Sequence, residues 1–183
     1  TRPFRAPHHT VSAAALVGGG QRPRPGEISL AHRGVLFLDE LPEFQRYVLD
    51  SLRQPIEEHQ VQISRNGGNM VYPCDFMLVG AMNPCPCGFH PNKNRCKCTE
   101  VRRKQYLGKV SGPILDRIDL CVQLQAVDVR KLARSGKEES SEKIRRRVME
   151  ARKRQEIRFS DGKYRFNSEI GSGDMDRYCK LGK

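Results

Sequence analysis

Residues 34–40 read Gly34-Val35-Leu36-Phe37-Leu38-Asp39-Glu40, four consecutive apolar residues between a glycine and two acids. A run this short and this uniformly apolar suits a strand buried on both faces, as in a parallel sheet. Just downstream, Pro42 to Glu57 predicts one helix. Phe44, Val48, Leu49, Leu52 and Ile56 recur at three- and four-residue steps, and Pro42 falls in the first turn, where proline is tolerated. Val61-Gln62-Ile63-Ser64-Arg65 alternates apolar and polar, Asn66-Gly67-Gly68-Asn69 turns, and Met70-Val71-Tyr72 returns, which predicts a β-hairpin. Phe76 to Met82 predicts a second buried strand, stopped by Asn83-Pro84. Beyond it, Glu100–Leu107 reads as a short helix, Pro113–Arg117 as a helical turn, and Ile118–Val127 as containing a third strand. Upstream, residues 1–34 read as irregular: Pro3, Pro7, Pro23 and Pro25 interrupt any long helix, Gly18-Gly19-Gly20 marks a loop tip, and Ser12–Leu16 has room for a short helix. Strands alternating with helices place the chain in the α/β class with a parallel sheet. After a polar linker over residues 135–142, Glu142–Phe159 reads as a basic helix with Ile144, Val148 and Ala151 as a narrow apolar seam, and one more helix is expected near Asp174–Lys180. The expected organisation is an α/β core over residues 1–134 and a linker with a helical part over residues 135–183.

The length, 183 residues, fits one ordinary domain or a domain with a small appendage. At 37% apolar residues a core of moderate size is possible, and no apolar run approaches the roughly 18–20 residues of a membrane helix. Collagen, coiled coil and small disulfide scaffold are excluded by composition. With no Trp, seven Phe and five Tyr, the chain is poorly supplied for stacking single-stranded bases. The formal net charge is +12, and residues 101–160 hold 17 Lys and Arg against 8 Asp and Glu. So concentrated a positive field favours nucleic acid or another polyanion as partner, although charge alone is equally satisfied by a solvated helix face. The chain starts at Thr1 rather than Met and carries no secretory pattern. It therefore reads as a piece of a longer cytoplasmic protein.

The chemistry concentrates where the strands end, because ligands of open α/β sheets bind at the carboxyl edge. Val35–Leu38 followed by Asp39-Glu40 is a Walker B arrangement. Asp39 is placed to hold Mg²⁺ beside the β- and γ-phosphates of ATP, and Glu40 to accept a proton from the water attacking the γ-phosphate. Taken alone, the same pattern describes a strand running into an acidic helix N-terminus. Leu78-Val79-Gly80-Ala81-Met82-Asn83 delivers one amide at the end of a second strand, 43 residues on from Glu40. By itself Asn83 would cap a turn; after a Walker B strand it sits where the sensor 1 residue of AAA+ ATPases orients the attacking water. Ser111-Gly112-Pro113-Ile114-Leu115-Asp116-Arg117-Ile118-Asp119-Leu120 closely resembles the segment carrying the arginine finger in MCM helicases and magnesium chelatases. An Arg flanked by two acids is otherwise a surface ion pair.

With these three elements in order, the chain resembles the magnesium chelatase-like AAA+ family, and within it the ComM/YifB type. Residues 1–12 (TRPFRAPHHTVS), 18–40 (GGGQRPRPGEISLAHRGVLFLDE), 52–55 (LRQP), 81–88 (AMNPCPCG) and 111–120 (SGPILDRIDL) carry the resemblance, which runs over nearly the whole chain. It implies the later strands of a parallel AAA+ sheet followed by the start of a helical lid. It also implies an insert around Thr10–Gly26 and a hairpin over Val61–Tyr72 that both face the pore of a ring. The implied parent is an ATP hydrolase assembled as a hexamer that acts on DNA, since ComM-type relatives act in branch migration. Within the family the alternative is a metal-chelatase motor subunit; outside it, a non-catalytic zinc-binding DNA-interaction module. No Gly-x-x-x-x-Gly-Lys-Ser/Thr occurs in the chain. The resemblance puts that phosphate-binding loop before Thr1 and the sensor 2 arginine after Lys183, so this fragment alone is expected to be inactive.

Seven cysteines are present, and four crowd into Cys85-x-Cys87 and, eight residues later, Cys96-x-Cys98. Four thiolates at that density suit tetrahedral Zn²⁺, although the usual pairs are separated by two residues or more. Pro86 fixes one bend and Gly88 permits the next; His90 is a substitute ligand. Free reduced thiols are the main alternative, and two disulfides are disfavoured without a secretory signal. His8 and His9 are adjacent and point in different directions, so they are not expected to form a metal pair.

Overall fold

The apolar run Val35–Leu38 is the central strand of a three-stranded parallel sheet in the computed structural model of the chain, which describes residues 2–20, 23–65, 68–124 and 139–179. Two compact units are present, residues 1–120 and residues 121–183. The expected boundary at 134/135 lies outside the described residues.

The first unit runs β1 (Phe4–Arg5), α1 (Ala13–Val17), β2 (Gly18–Gly19), β3 (Arg24–Pro25), α2 (Glu27–Leu30), β4 (Val35–Leu38), a 3₁₀ turn (Leu41–Glu43), α3 (Arg46–Asp50), α4 (Arg53–Glu58), β5 (Gln60–Arg65), β6 (Gly68–Pro73), β7 (Met77–Gly80), α5 (Glu100–Leu107) and α6 (Gly112–Leu115). The parallel sheet has the order β1-β4-β7, with Phe4 opposite Val35 and Leu38 opposite Gly80. The class is α/β, a partial AAA+ sheet. Residues 1–34 hold short elements rather than irregular chain alone, and the short helix there starts where Ser12 Oγ accepts from the Ala15 N–H. Gly34 is required by contact: a Cβ there would lie 1.9 Å from the Pro3 carbonyl oxygen, which also accepts from the Val35 N–H at 2.9 Å.

The core forms where Leu36 and Leu38 of β4 meet Leu16, Ile28, Val48, Leu49 and Leu52, all essentially inaccessible to solvent. Each such side chain contributes on the order of 1.5–3 kcal/mol. The apolar stripe expected on residues 42–57 is therefore the buried one, but it does not lie on one helix. Phe44 and Gln45 are extended, and the chain breaks again at Ser51, whose Oγ donates to the Val48 carbonyl at 2.6 Å. The physical reason is Pro55. Inside one long helix it would lack its N–H and collide with the Ser51 carbonyl; restarting the helix at Arg53 puts it in the first turn.

Three further expectations are corrected. The hairpin β5–β6 pairs as far as Arg65 opposite Gly68, so Gly68 and Asn69 belong to a strand rather than the turn; residues 66 and 67 lie outside the described residues. β7 is not the buried strand expected: Met77 and Val79 are exposed, since nothing among the described residues covers that face, and β7 pairs there with β4 alone. Residues 118–124 form no strand. Leu120, Val122 and Leu124 alternate correctly but lie exposed, with no neighbouring strand among the described residues to take up their backbone groups; residues 125–127 lie outside the described residues.

The second unit is built on α7 (Ser141–Arg158), capped by Ser140 Oγ. No residue of α7 is buried, and its seam residues Ile144 and Val148 are open. Past its end, Phe159 packs edge-on against Tyr164 and Tyr178, at ring separations of 5.8 and 5.2 Å, beside the short α8 (Met175–Tyr178). Tyr178 donates to Asp161 and Tyr164 to Asp174, which ties the turn to that helix. No helix among the described residues is long and apolar enough to cross a membrane.

Candidate active site and thiolate cluster

β4 and β7 end side by side. Beyond their last paired residues, Leu38 and Gly80, the Ala81 N–H donates to the Leu38 carbonyl at 2.9 Å and the Leu41 N–H to the Ala81 carbonyl at 3.0 Å. Asp39, Glu40 and Asn83 consequently leave the sheet at one carboxyl edge. Asp39 is exposed, and its Oδ1 accepts from the Glu40 N–H at 2.9 Å, which orients the carboxylate and leaves the second oxygen free of protein partners. Glu40 has a left-handed backbone, φ 54° and ψ 47°. For a residue with a Cβ that conformation costs about 1–2 kcal/mol, and such strain concentrates at functional positions.

The Glu40 carboxylate has a neighbour that sequence reasoning missed: His9 Nδ1 lies 3.4 Å from Glu40 Oε2. The His9 ring lies against that of His8, 4.0 Å between centroids and tilted by 35°, so the two side chains do not diverge as expected, and it stands edge-on to Phe44 at 6.3 Å. The signal was the sheet register. Arg5 pairs with Leu36, so the residues four positions further along each strand, His9 and Glu40, emerge at the same edge. Arg5 itself is clamped by Glu27 at 2.6 and 2.7 Å, which ties β1 to α2; that hydrogen bond and the Glu27 charge raise its pKa.

Arg117 follows α6, and its partners are not Asp39 and Glu40. Its Nε donates to Glu57 Oε1 at 2.6 Å, one terminal nitrogen donates to the same oxygen, and the other donates to the Pro113 carbonyl at 3.3 Å. Glu57 is half-exposed, so the pair is solvent-screened and worth at most about 1 kcal/mol. A polyphosphate would compete for this arginine easily.

The four cysteines of residues 85–98 converge. The Sγ atoms of Cys85, Cys87 and Cys96 are 3.3, 3.8 and 3.7 Å apart, and with Cys98 all four lie within 4.8 Å of one another. A tetrahedron with Zn–S bonds of about 2.3 Å has sulfurs about 3.8 Å apart, so the donor set fits the ion. Electrostatics point the same way. Burial resists ionisation of Cys85, but hydrogen bonds from the His90 and Cys87 backbones and from the neighbouring thiols outweigh it and lower its pKa to about 6. At Cys96 a backbone hydrogen bond from Cys98 favours the thiolate, yet burial and the adjacent thiols push its pKa to about 11. The hydrogen bond with Cys87, with burial, raises Cys98 as well. His90 stands outside the cluster, with both ring nitrogens against the Arg103 guanidinium at 2.7 and 2.8 Å.

A parallel sheet whose adjacent strand ends carry an Asp-Glu pair and an Asn defines the class, a partial AAA+ domain. The model of the family "Magnesium chelatase, subunit ChlI" matches residues 1–132 and that of "Magnesium chelatase, subunit ChlI C-terminal" residues 138–183, so the chain belongs to the magnesium chelatase family. It is 48% identical over 181 residues to the uncharacterized protein YifB of Escherichia coli strain K12 and 46% identical over 182 residues to the competence protein ComM of Haemophilus influenzae; each match covers 98% of this chain. To the magnesium-chelatase 38 kDa subunit of Acidiphilium rubrum it is 26% identical over 111 residues, 61% of this chain and 26% of that protein. The chain spans 35% of the length of YifB and of ComM.

Proposed function

We propose that the full-length protein is an ATP-hydrolysing ring motor, a hexamer, that remodels or branch-migrates DNA, and that this chain supplies the hydrolytic half of its nucleotide site. The observation that carries this reading is the shared carboxyl edge of β4 and β7, where Asp39, Glu40 and Asn83 emerge together. Asp39 would hold Mg²⁺, which neutralises phosphate charge when bound; its exposed, oriented carboxylate fits that role. Glu40 would take the proton of the attacking water, and Asn83 would orient that water. Arg117 would leave Glu57 and reach nucleotide held by the neighbouring protomer.

The local excess of positive charge over residues 101–160 and the similarity to a competence protein favour DNA over the chelatase alternative, to which the similarity is weaker and covers less of the chain. A non-catalytic zinc-binding module would have no use for three polar side chains at one sheet edge and a strained Glu40. Full-length protein should hydrolyse ATP in the presence of Mg²⁺ and do so faster with branched DNA, whereas the 183-residue chain alone should show no micromolar ATP affinity by calorimetry. Hydrolysis indifferent to every DNA tested would remove the DNA motor and leave the chelatase alternative.

Cys85, Cys87, Cys96 and Cys98 are proposed to hold one Zn²⁺ per chain. Elemental analysis after purification without chelator should return a molar ratio near unity. A sub-stoichiometric ratio with reduced thiols and no other metal would return the cluster to free cysteines.

A further inference from the structure

Asn83 is held from both ends of the cysteine loop. Two residues after it comes Cys85, fully buried, the first sulfur of the cluster. The loop then folds back toward the Asn83 side chain at Gly88. Gly88 has φ +76°, and a Cβ built on it would stand 3.8 Å from Asn83 Oδ1. One residue after Cys98, Thr99 Oγ1 caps α5 by accepting from the Arg102 N–H. That helix carries the buried Tyr106: burial raises the pKa of its hydroxyl, the charges of Glu43, Glu40 and Cys85 add to that, and the backbone N–H of Asn83 acts against it, which places Tyr106 near Asn83. The residue leading into the loop and the helix leaving it therefore meet at Asn83. The loop between them is thinly held: residues 86–89 and 91–95 are exposed, and besides local backbone turns its side-chain ties among the described residues are those of His90, Asn92 and Arg95.

We infer that the ion held by Cys85, Cys87, Cys96 and Cys98 fixes the position of Asn83, so that metal occupancy sets the rate of hydrolysis and leaves nucleotide binding intact. The inference rests on the ATPase and zinc readings above and adds a controlling role that neither requires. With the ion in place, Cys85 and Cys98 would be joined through one atom, which closes the loop into a short ring whose ends lead to Asn83 on one side and to the helix of Tyr106 on the other. Without it, the sulfurs of Cys85, Cys87 and Cys96 are joined by nothing stronger than weak thiol hydrogen bonds at 3.3–3.8 Å, and both supports of Asn83 slacken. Asn83 makes no claim on the binding of the phosphates in this scheme. A misplacement of about 1 Å in a residue that orients the attacking water is enough to cost about a hundredfold in rate.

The test uses full-length protein. Zinc is released with a mercurial and a chelator, the thiols are regenerated with dithiothreitol, small molecules are removed, and half the sample receives Zn²⁺ back. Zinc content, affinity for a non-hydrolysed ATP analogue and single-turnover hydrolysis in excess Mg²⁺ are measured on both halves, for wild type and for Asn83→Ala. A Cys96→Ser/Cys98→Ser variant reaches the same state without reagents. Expected for wild type is a tenfold to roughly hundredfold loss of rate on stripping, reversed by zinc, with analogue affinity held within about twofold. In Asn83→Ala, already slow, stripping should cost nothing further, because the two losses share one cause. An equal fold-loss in both backgrounds, an unchanged rate in stripped wild type, or analogue binding that falls in step with rate would each overturn the inference. The underlying readings fail separately and visibly: zinc-loaded wild type that hydrolyses no ATP removes the first, and protein that takes up no zinc removes the second.

Discussion

Replacing Arg117 by alanine in the full-length protein should lower ATP hydrolysis by about 10³–10⁵ while leaving ATP affinity nearly unchanged, the effect of losing an arginine finger. The argument starts from what holds Arg117 here. Its guanidinium is shared between one oxygen of Glu57 and the Pro113 carbonyl, a partly exposed arrangement that stores little energy. None of its hydrogen-bond partners belongs to the carboxyl edge carrying Asp39 and Glu40, so its proposed target is nucleotide on a neighbour. Rings mixed from Arg117→Ala and Glu40→Gln protomers should then recover part of the lost activity, because some interfaces unite an intact finger with an intact Glu40. Glu57→Gln discriminates the alternative. A finger released from Glu57 keeps its function, so that variant should hydrolyse at least as fast as wild type. If Glu57→Gln is as damaged as Arg117→Ala and mixed rings recover nothing, Arg117 is an ion-pair residue of its own chain.

Glu40→Gln should reduce single-turnover hydrolysis by about 10²–10⁴, the range for removing a general base. The substitution keeps the side-chain shape and the left-handed backbone but deletes the proton acceptor, so ATP should still bind and then persist unhydrolysed. Filter retention of radiolabelled ATP over many minutes, followed by recovery of intact triphosphate, would report both halves of the expectation. Turnover within a few-fold of wild type would show that the Glu40 carboxylate does not take the proton.

What the sequence made legible was local. Val35–Leu38 declared itself because an unbroken apolar run between Gly34 and Asp39 has few other uses, and the cysteine loop because its donors lie within 14 residues. The stripe on residues 42–57 marked the buried face correctly, but periodicity is blind to the break that Pro55 enforces. The third strand was misread over residues 118–124 because alternation shows which way side chains would point, not whether a neighbouring strand exists. The sequence nominates candidate site residues one by one but not their pairings. Nothing in the sequence joins Arg117 to Glu57, 60 positions away, and His9 meets Glu40 only through the register of β1 on β4.

The open edge of β7 bears on how oligomeric state is measured. One side of that strand offers unpaired backbone groups among the described residues, beside Met77 and Val79, whose side chains stand in solvent. Such an edge is a template for adding strands from other molecules. The 183-residue chain, prepared alone, should therefore aggregate as its concentration rises, through backbone pairing that has nothing to do with a closed ring. A large species eluting from a sizing column would be a sticky sheet edge, and only a species of fixed mass across dilution would count as assembly.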